Sequence, residues 1–413
     1  MWGIGSPINQ NTNMNLTLLL DLDDTLLNTN LDEFLPVYFE AFSGFLKEDV
    51  EPELMLSALL SGTRKMMANN DPSLTLRQVF NAEFFPKVGI TKEKLQPRID
   101  LFYEELFPTL GYLTSLQPEA VKMVEWAFSQ GFRLAIATNP VFPLAAIHHR
   151  MRWAGLSPEK FHFEVISTYE AFHFAKPNPA YFAEVLGRMG WPEGQVVMVG
   201  DDVKRDLPGA LALGLPTYWI NSADAASPDG FNLTGMGQIG ELRPWLEDTD
   251  HTTLEPAFST PESLVAVMLS TPAVISGLLE QESGLNMKRR PFPTEWSLTE
   301  IVCHLRDTEL EVNSPRLRML LELDEPFIPA RITAAWAEER DYNSQDFSQA
   351  IRDFTIARIK TTEFLSGLKE EWERKARHAI FGPTNLLELV KFMTEHDRLH
   401  IRQILSTIEQ ISR

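Results

Sequence analysis

Two aspartates close an apolar run in LTLLLDLDDTLLNT. Strand alternation would carry Asp21 and Asp23 to one side of a strand tip, with Thr25 at the exit. Paired carboxylates there suit a hard divalent cation and a nucleophilic attack on phosphorus, because oxygen ligands match Mg²⁺ and the cation neutralises the charge between nucleophile and phosphate. Three further segments bear complementary groups. RLAIATN ends a second apolar run on Thr138, a hydroxyl suited to a phosphoryl oxygen. AKPNP puts Lys176 in a loop before a helix, where its ammonium would neutralise nucleophile and phosphoryl group together. QVVMVGDDVKRD ends a third run on Asp201 and Asp202, with Asp206 opening the next segment. The candidate Mg²⁺ ligands are therefore Asp21, Asp23, Asp201, Asp202 and Asp206, and the spacing leaves open whether Asp202 or Asp206 lies nearer the ion.

A second group of ligand-type residues lies far downstream in WSLTEIVCHLRDTE and TEHDRLHIRQ. His396 and His400 are four residues apart on one helix face, in register with Leu389 and Met393. His304 shares the inward stripe of Leu298, Ile301 and Leu305. Three imidazoles from two helices, completed by water, suit Zn²⁺, Ni²⁺ or Fe²⁺. Cys303 is expected to pack rather than to ligate.

These groups need elements to hold them. Apolar runs at 16–20, 133–138, 163–167, 195–200 and 216–221 alternate with helical segments, two of them closing on glycine, which reads as α/β with a mostly parallel sheet. The text from about 31 to 116 breaks the rhythm with helix-rich stretches, as an inserted lid over the carboxyl ends of the sheet would. The expectation is a Rossmann-like α/β domain over 15–248 capped at 31–116, a polar linker over 249–261, and an all-α four-helix bundle over 262–413. Its helices are drawn at 262–280, 297–311, 347–372 and 384–411. Trp336, Tyr342 and Phe347 border a long connection inside it.

The motifs DLDDT, AIATN, AKPNP and VGDDVKRD, in that order, resemble those of the haloacid dehalogenase superfamily over roughly 16–247. The resemblance implies a phosphomonoester hydrolase working through an aspartyl-phosphate. It makes Asp21 the nucleophile, Asp23 the general acid and base, Thr138 and Lys176 the phosphate-holding pair, and Asp201 a ligand of Mg²⁺. An aspartate at position 23 argues against dehalogenation. The pattern W-x₇-HL-x-D, the stretch FGPTNLLELV and HD-x₂-H-x₂-Q resemble the DinB-like superfamily over roughly 254–413. That resemblance implies His304, His396 and His400 as metal ligands, with Asp307 and Gln403 in supporting or pocket roles. It leaves open a thiol-dependent transferase centred on the bundle, or a non-enzymatic sensing or docking module that regulates the phosphatase.

Composition narrows the partners. With 57 acidic against 37 basic residues the net charge is −20, which repels a phosphate backbone, so no nucleic-acid partner is expected. One cysteine permits no intrachain disulfide and no thiolate-rich metal site. The opening residues carry no positive charge and the apolar pentad stops at Asp21, so neither a signal peptide nor a membrane anchor is expected, and the location is taken as cytoplasmic. The first 14 residues read as a loose tail, with Met14 an alternative start. The expected partner is a small phosphorylated metabolite, since a closed lid excludes macromolecules. The basic triplet Lys288, Arg289, Arg290 reads as a solvated loop, and His148 and His149 are given no chemistry.

Overall fold

Residues Leu16–Leu20 form β1, a strand buried along its whole length because helices cover both faces of its sheet. The structure is a computed structural model that describes residues 15–221, 226–280 and 284–412. The expected N-terminal tail lies outside the described residues. After β1 the chain makes β2 (Leu27–Asn28) and enters the insertion as four helices. These are α1 (Leu31–Phe45), α2 (Pro52–Met67), α3 (Leu76–Val88) and α4 (Lys92–Leu101), followed by a π turn and a 3₁₀ segment. The return strand β3 (Ser115–Leu116) pairs antiparallel with β2, so the two crossings into this cap run side by side as a ribbon. The cap has its own aromatic core, with Phe34, Tyr38, Phe42, Phe102 and Phe107 packed together.

The α/β rhythm then resumes with α5 (Pro118–Ser129), β4 (Arg133–Ile136), α6 (Leu144–Trp153), β5 (Val165–Ile166) and α7 (Pro179–Arg188). It continues through β6 (Gln195–Gly200), α8 (Leu207–Leu213), β7 (Thr217–Ile220), β8 (Gly235–Gly237) and α9 (Ile239–Asp248). Six strands pair in the order β5-β4-β1-β6-β7-β8, all parallel. β8 was not foreseen, because Gly-Met-Gly carries no apolar run.

The C-terminal half contains α10 (Pro261–Glu280), α11 (Leu298–Thr308), α12 (Ser314–Glu322), α13 (Trp336–Glu339), α14 (Phe347–Ser366) and α15 (Leu386–Ser412). A π turn at Glu309–Asn313 joins α11 to α12, so the second long helix outruns its expected end at 311. The third stops at Ser366 rather than 372. Past it, β10 (Lys375–His378) lies between β9 (Phe327–Ile328) and β11 (Gly382–Asn385) in a small sheet that the all-helical expectation lacked. Ala376 and His378 are buried while Lys375 and Arg377 are exposed, a period of two that a helix reading overlooks. The basic triplet is not simply solvated. Lys288 donates to the Ser344 carbonyl, Arg289 to that of Ile411, and Arg290 pairs with Glu300.

The segment expected as a linker is pinned to the sheet domain. Leu254 is buried in the core beneath the sheet, and Ala257 N–H donates to the Gly214 carbonyl at 2.9 Å. Beyond it, α10 packs against α7 and α8 on one side and α14 and α15 on the other. With a mean hydropathy of 1.6 over 18 residues, α10 is long and apolar enough to cross a membrane. Here its apolar surface is spent on one continuous core, where Val274 and Ile275 join Leu186, Met198, Ile301 and Ile404.

Gly214 closes α8 at φ +90°, and a Cβ there would strike the Ala257 carbonyl. Gly214→Ala should therefore destabilise the chain by about 1–3 kcal/mol in denaturant unfolding. An unchanged midpoint would mean that 255–260 lifts off the domain freely.

Candidate functional sites

The first cluster grows from the central strand pair. Asp21 follows β1 and donates its N–H to the Val199 carbonyl at 2.9 Å, which extends the β1–β6 pairing and sets it beside the tip carrying Asp201. Asp206 joins them from the start of α8, its carboxylate accepting the Asp202 N–H at 3.0 Å. Gly200 makes this possible, since a Cβ at 200 would collide with the Asp206 carboxylate. Lys176 Nζ then donates to Asp21 Oδ1 at 2.7 Å and to Asp206 Oδ1 at 2.6 Å, and Thr25 donates to Asp201 at 3.2 Å. Asp21, Asp201 and Asp206 each offer a carboxylate oxygen within 4.8 Å of the others.

Of the two candidates left open, Asp206 is the one in this cluster. Asp202 turns outward, where it accepts the N–H groups of Lys204 and Arg205 at 2.8 and 3.1 Å and pairs with the Arg205 side chain. The Asp23 carboxylate also stands outside the three-acid group. It accepts the Thr29 hydroxyl at 2.8 Å and forms an ion pair with Arg150. Thr138, just past β4, gives its carbonyl to the Tyr181 hydroxyl at 2.8 Å and lines, with Asp23, a cavity of about 240 Å³ beneath the cap.

Electrostatics here are lopsided. Burial pushes the Asp21 carboxyl well above the usual carboxylate range; Lys176 pulls it back, and Asp206, Asp201 and Asp23 push it further up. Burial and then Asp206 and Asp24 lift the Asp201 carboxyl to about 7. Burial opposes the charge on Lys176, but Asp206 and Asp21 outweigh it and hold the ammonium well above the ordinary lysine range. The set is short of positive charge and offers only oxygen donors, which is the environment a hard divalent cation such as Mg²⁺ fits.

Arg150 escaped the sequence reading. It lies on α6, only 2% exposed, with its guanidinium 5.8 Å from the Phe34 ring and 5.0 Å from that of Phe142. The signal was its phase, since Ile147, Arg150, Met151 and Ala154 share the buried side of this segment.

The second cluster is built by α11 and α15. A capping box, Ser297 with Glu300, starts α11 and fixes the phase of His304. His304 Nε2 and His400 Nε2 each lie 3.1 Å from His396 Nε2. Burial, then neighbouring imidazoles, push His304 and His396 down to about 3, and burial lowers His400. Each shift favours the neutral imidazole, the form that binds a metal. His400 Nδ1–H donates to Gln403 Oε1 at 2.8 Å, leaving the Nε2 lone pair for the centre. Three converging neutral nitrogens fit Zn²⁺, Ni²⁺ or Fe²⁺ better than Mg²⁺.

Of the two supporting candidates, Asp307 is engaged elsewhere. It binds Arg306, Arg340 and the Tyr342 hydroxyl instead of an imidazole. Cys303 is buried outside the cluster, its thiol pushed up to about 11 chiefly by burial. Trp296 forms a wall, stacked on His400 at an interplanar angle of 7°. Below the histidines, buried Arg358 of α14 pairs with Asp397 and Glu309, and Thr271 donates to Asp397 at 2.8 Å. This ion group, also unforeseen, fixes α15 against α10 and α14.

Residues 16–214 match the family model of haloacid dehalogenase-like hydrolases, and residues 270–404 match that of the DinB superfamily. The chain is similar to a pyrimidine 5′-nucleotidase, YjjG, of Escherichia coli, 31% identical over 34% of this chain and 61% of that protein. It is also similar to a glyceraldehyde 3-phosphate phosphatase of Methanothermobacter thermautotrophicus, 30% identical over 28% of this chain and 51% of the other. The chain thus spans between half and two thirds of these relatives. A crystal structure of a HAD phosphatase from Thermococcus onnurineus aligns with 56% of this chain and 97% of its own at 21% identity, with a TM-score of 0.39.

Chain purified without an affinity tag and reconstituted with Zn²⁺, Ni²⁺ or Fe²⁺ should retain about one transition metal per chain by elemental analysis. His396→Ala or His400→Ala should lose most of it. Equal retention by these variants would remove the three histidines as ligands.

Proposed function

From the premise that this chain joins a haloacid dehalogenase-like hydrolase domain to a DinB-like four-helix-bundle domain, we propose that it is a Mg²⁺-dependent hydrolase of a small phosphomonoester, acting through an aspartyl-phosphate on Asp21. The observation that carries this reading is the buried Asp21 carboxylate, gripped by Lys176 together with Asp206 and facing Asp201. The phosphatase relatives named above support the reaction class, and their own substrates differ from one another.

In this mechanism Asp21, Asp201 and Asp206 would hold Mg²⁺, whose chemistry is to neutralise nucleophile and phosphate oxygens. An Asp21 oxygen attacks phosphorus while the bond to the alcohol oxygen breaks. Lys176 and the Thr138 hydroxyl steady the phosphoryl oxygens. Asp23 leaves its contacts with Thr29 and Arg150, passes a proton to the departing alcohol, then takes one from the water that cleaves the aspartyl-phosphate. The cap closes over the cavity and keeps bulk water out. For the bundle, we propose a transition-metal site on His304, His396 and His400; with the Cys303 thiol protonated in the core, any thiol chemistry there would draw its thiol from a co-substrate.

With Mg²⁺ the full chain should hydrolyse small phosphomonoesters, and a chelator or Asp21→Asn should abolish turnover. Asp23→Asn should cost about 10²- to 10⁴-fold in kcat, most for poor leaving groups. Full turnover by Asp21→Asn would reject the covalent route.

A further inference from the structure

The cavity beneath the cap has one strongly apolar side. Its upper wall is Tyr38, Phe39, Phe42, Leu59, Met66 and Phe80, and the hydroxyls of Tyr38 and Tyr103 are spent on each other at 2.8 Å. Hydroxyls pressed against this wall would be desolvated without partners, each costing about 1–3 kcal/mol. Flat or branched apolar groups fill the same space at a gain.

Polar groups gather on the opposite side, Asp23, Thr138, Asn139 and Arg205 beside the acid cluster and Arg150 among the rings. Arg150 faces the cavity, 2% exposed; its Nη2 is held by the Asp23 carboxylate, while its Nε has no hydrogen-bond partner. Buried donors without acceptors are costly, and they are kept where a ligand supplies the acceptor. Nε and Nη2 form one edge of the guanidinium, the fork that meets a planar carboxylate side-on. Because Arg150 also touches Asp23, a carboxylate on that fork would lie within a few bonds of the alcohol oxygen that Asp23 serves.

Resting on the phosphatase reading of Asp21, we propose that the substrate is the phosphate ester of a small 2-hydroxy acid with an apolar or aromatic side chain, its carboxylate on Arg150 and its side chain against the cap. The arriving carboxylate takes the place of Asp23 on Arg150 and frees Asp23 for proton transfer.

The test uses the full chain with Mg²⁺ and four esters. These are the phosphate of 3-phenyllactate, 1-phenylpropan-2-yl phosphate as its analogue without the carboxylate, 2-phosphoglycerate as its analogue without the ring, and p-nitrophenyl phosphate as a general probe. The phenyllactate ester should exceed both analogues in kcat/KM by about tenfold or more, the worth of one charge-assisted contact or one buried ring. Arg150→Met should bring the ratio of phenyllactate ester to its carboxylate-free analogue close to one. Equal kcat/KM for those two in the unaltered protein overturns the carboxylate assignment, whatever the variant does, and so does an Arg150→Met protein that loses both equally. Preference for 2-phosphoglycerate overturns the apolar assignment. Turnover of p-nitrophenyl phosphate without these preferences rejects the substrate class alone, whereas no hydrolysis of any ester rejects the phosphatase reading as well.

Discussion

A single ammonium group, Lys176 Nζ, binds carboxylates from two different parts of the sheet, Asp21 after β1 and Asp206 before α8. All three side chains are buried. Without the lysine, the two acids would face each other in a low-dielectric pocket, a loss of about 3–5 kcal/mol for breaking such a pair. The loop that delivers Lys176 is itself held. The Lys176 N–H donates to Asn139 at 3.2 Å, the Tyr181 ring lies 5.9 Å from Nζ, and Asn178 caps α7 while reaching Asn70 of the cap at 2.7 Å. The sheet, the cap and α7 therefore converge on one charge.

From there α7 carries the constraint into the second half of the chain. Its buried Glu184 accepts from His173 and Arg188, and its apolar residues join the core shared with α10. α15 completes the contact. Arg402 donates to the carbonyls of Gly190 and Trp191 at 3.3 Å, and Arg398 covers the rings of Trp191 and Phe258. The helix that presents His396 and His400 inward thus presents two arginines to the hydrolase domain. Both clusters hang from a single packed body, which explains why the segment between them is pinned.

What the sequence disclosed and what it hid follow from range. Strands such as Leu16–Leu20 were legible because burial on both faces writes an unbroken apolar run. The histidines of α11 and α15 were legible because helical phase is local. Asp202 and Asp206 could not be ranked, since only the turn of the chain between them decides which carboxylate points inward. The pairing of Asp23 with Arg150 was hidden for the same reason. Its partners are 127 positions apart and meet only because α6 passes under the cap. The small sheet at β9–β11 was missed because its strands are only two to four residues long and carry no sustained apolar run.

An excess of buried negative charge surrounds Asp21 that a divalent cation would relieve, and thermal unfolding with and without Mg²⁺ tests this most directly. The unaltered chain should rise in Tm, saturably, as Mg²⁺ is added. Asp201→Asn, which removes one of the uncompensated charges, should be at least as stable as the unaltered chain in chelator and should gain little from Mg²⁺. A variant less stable without metal, or one raised by Mg²⁺ as much as the unaltered chain, would contradict the account.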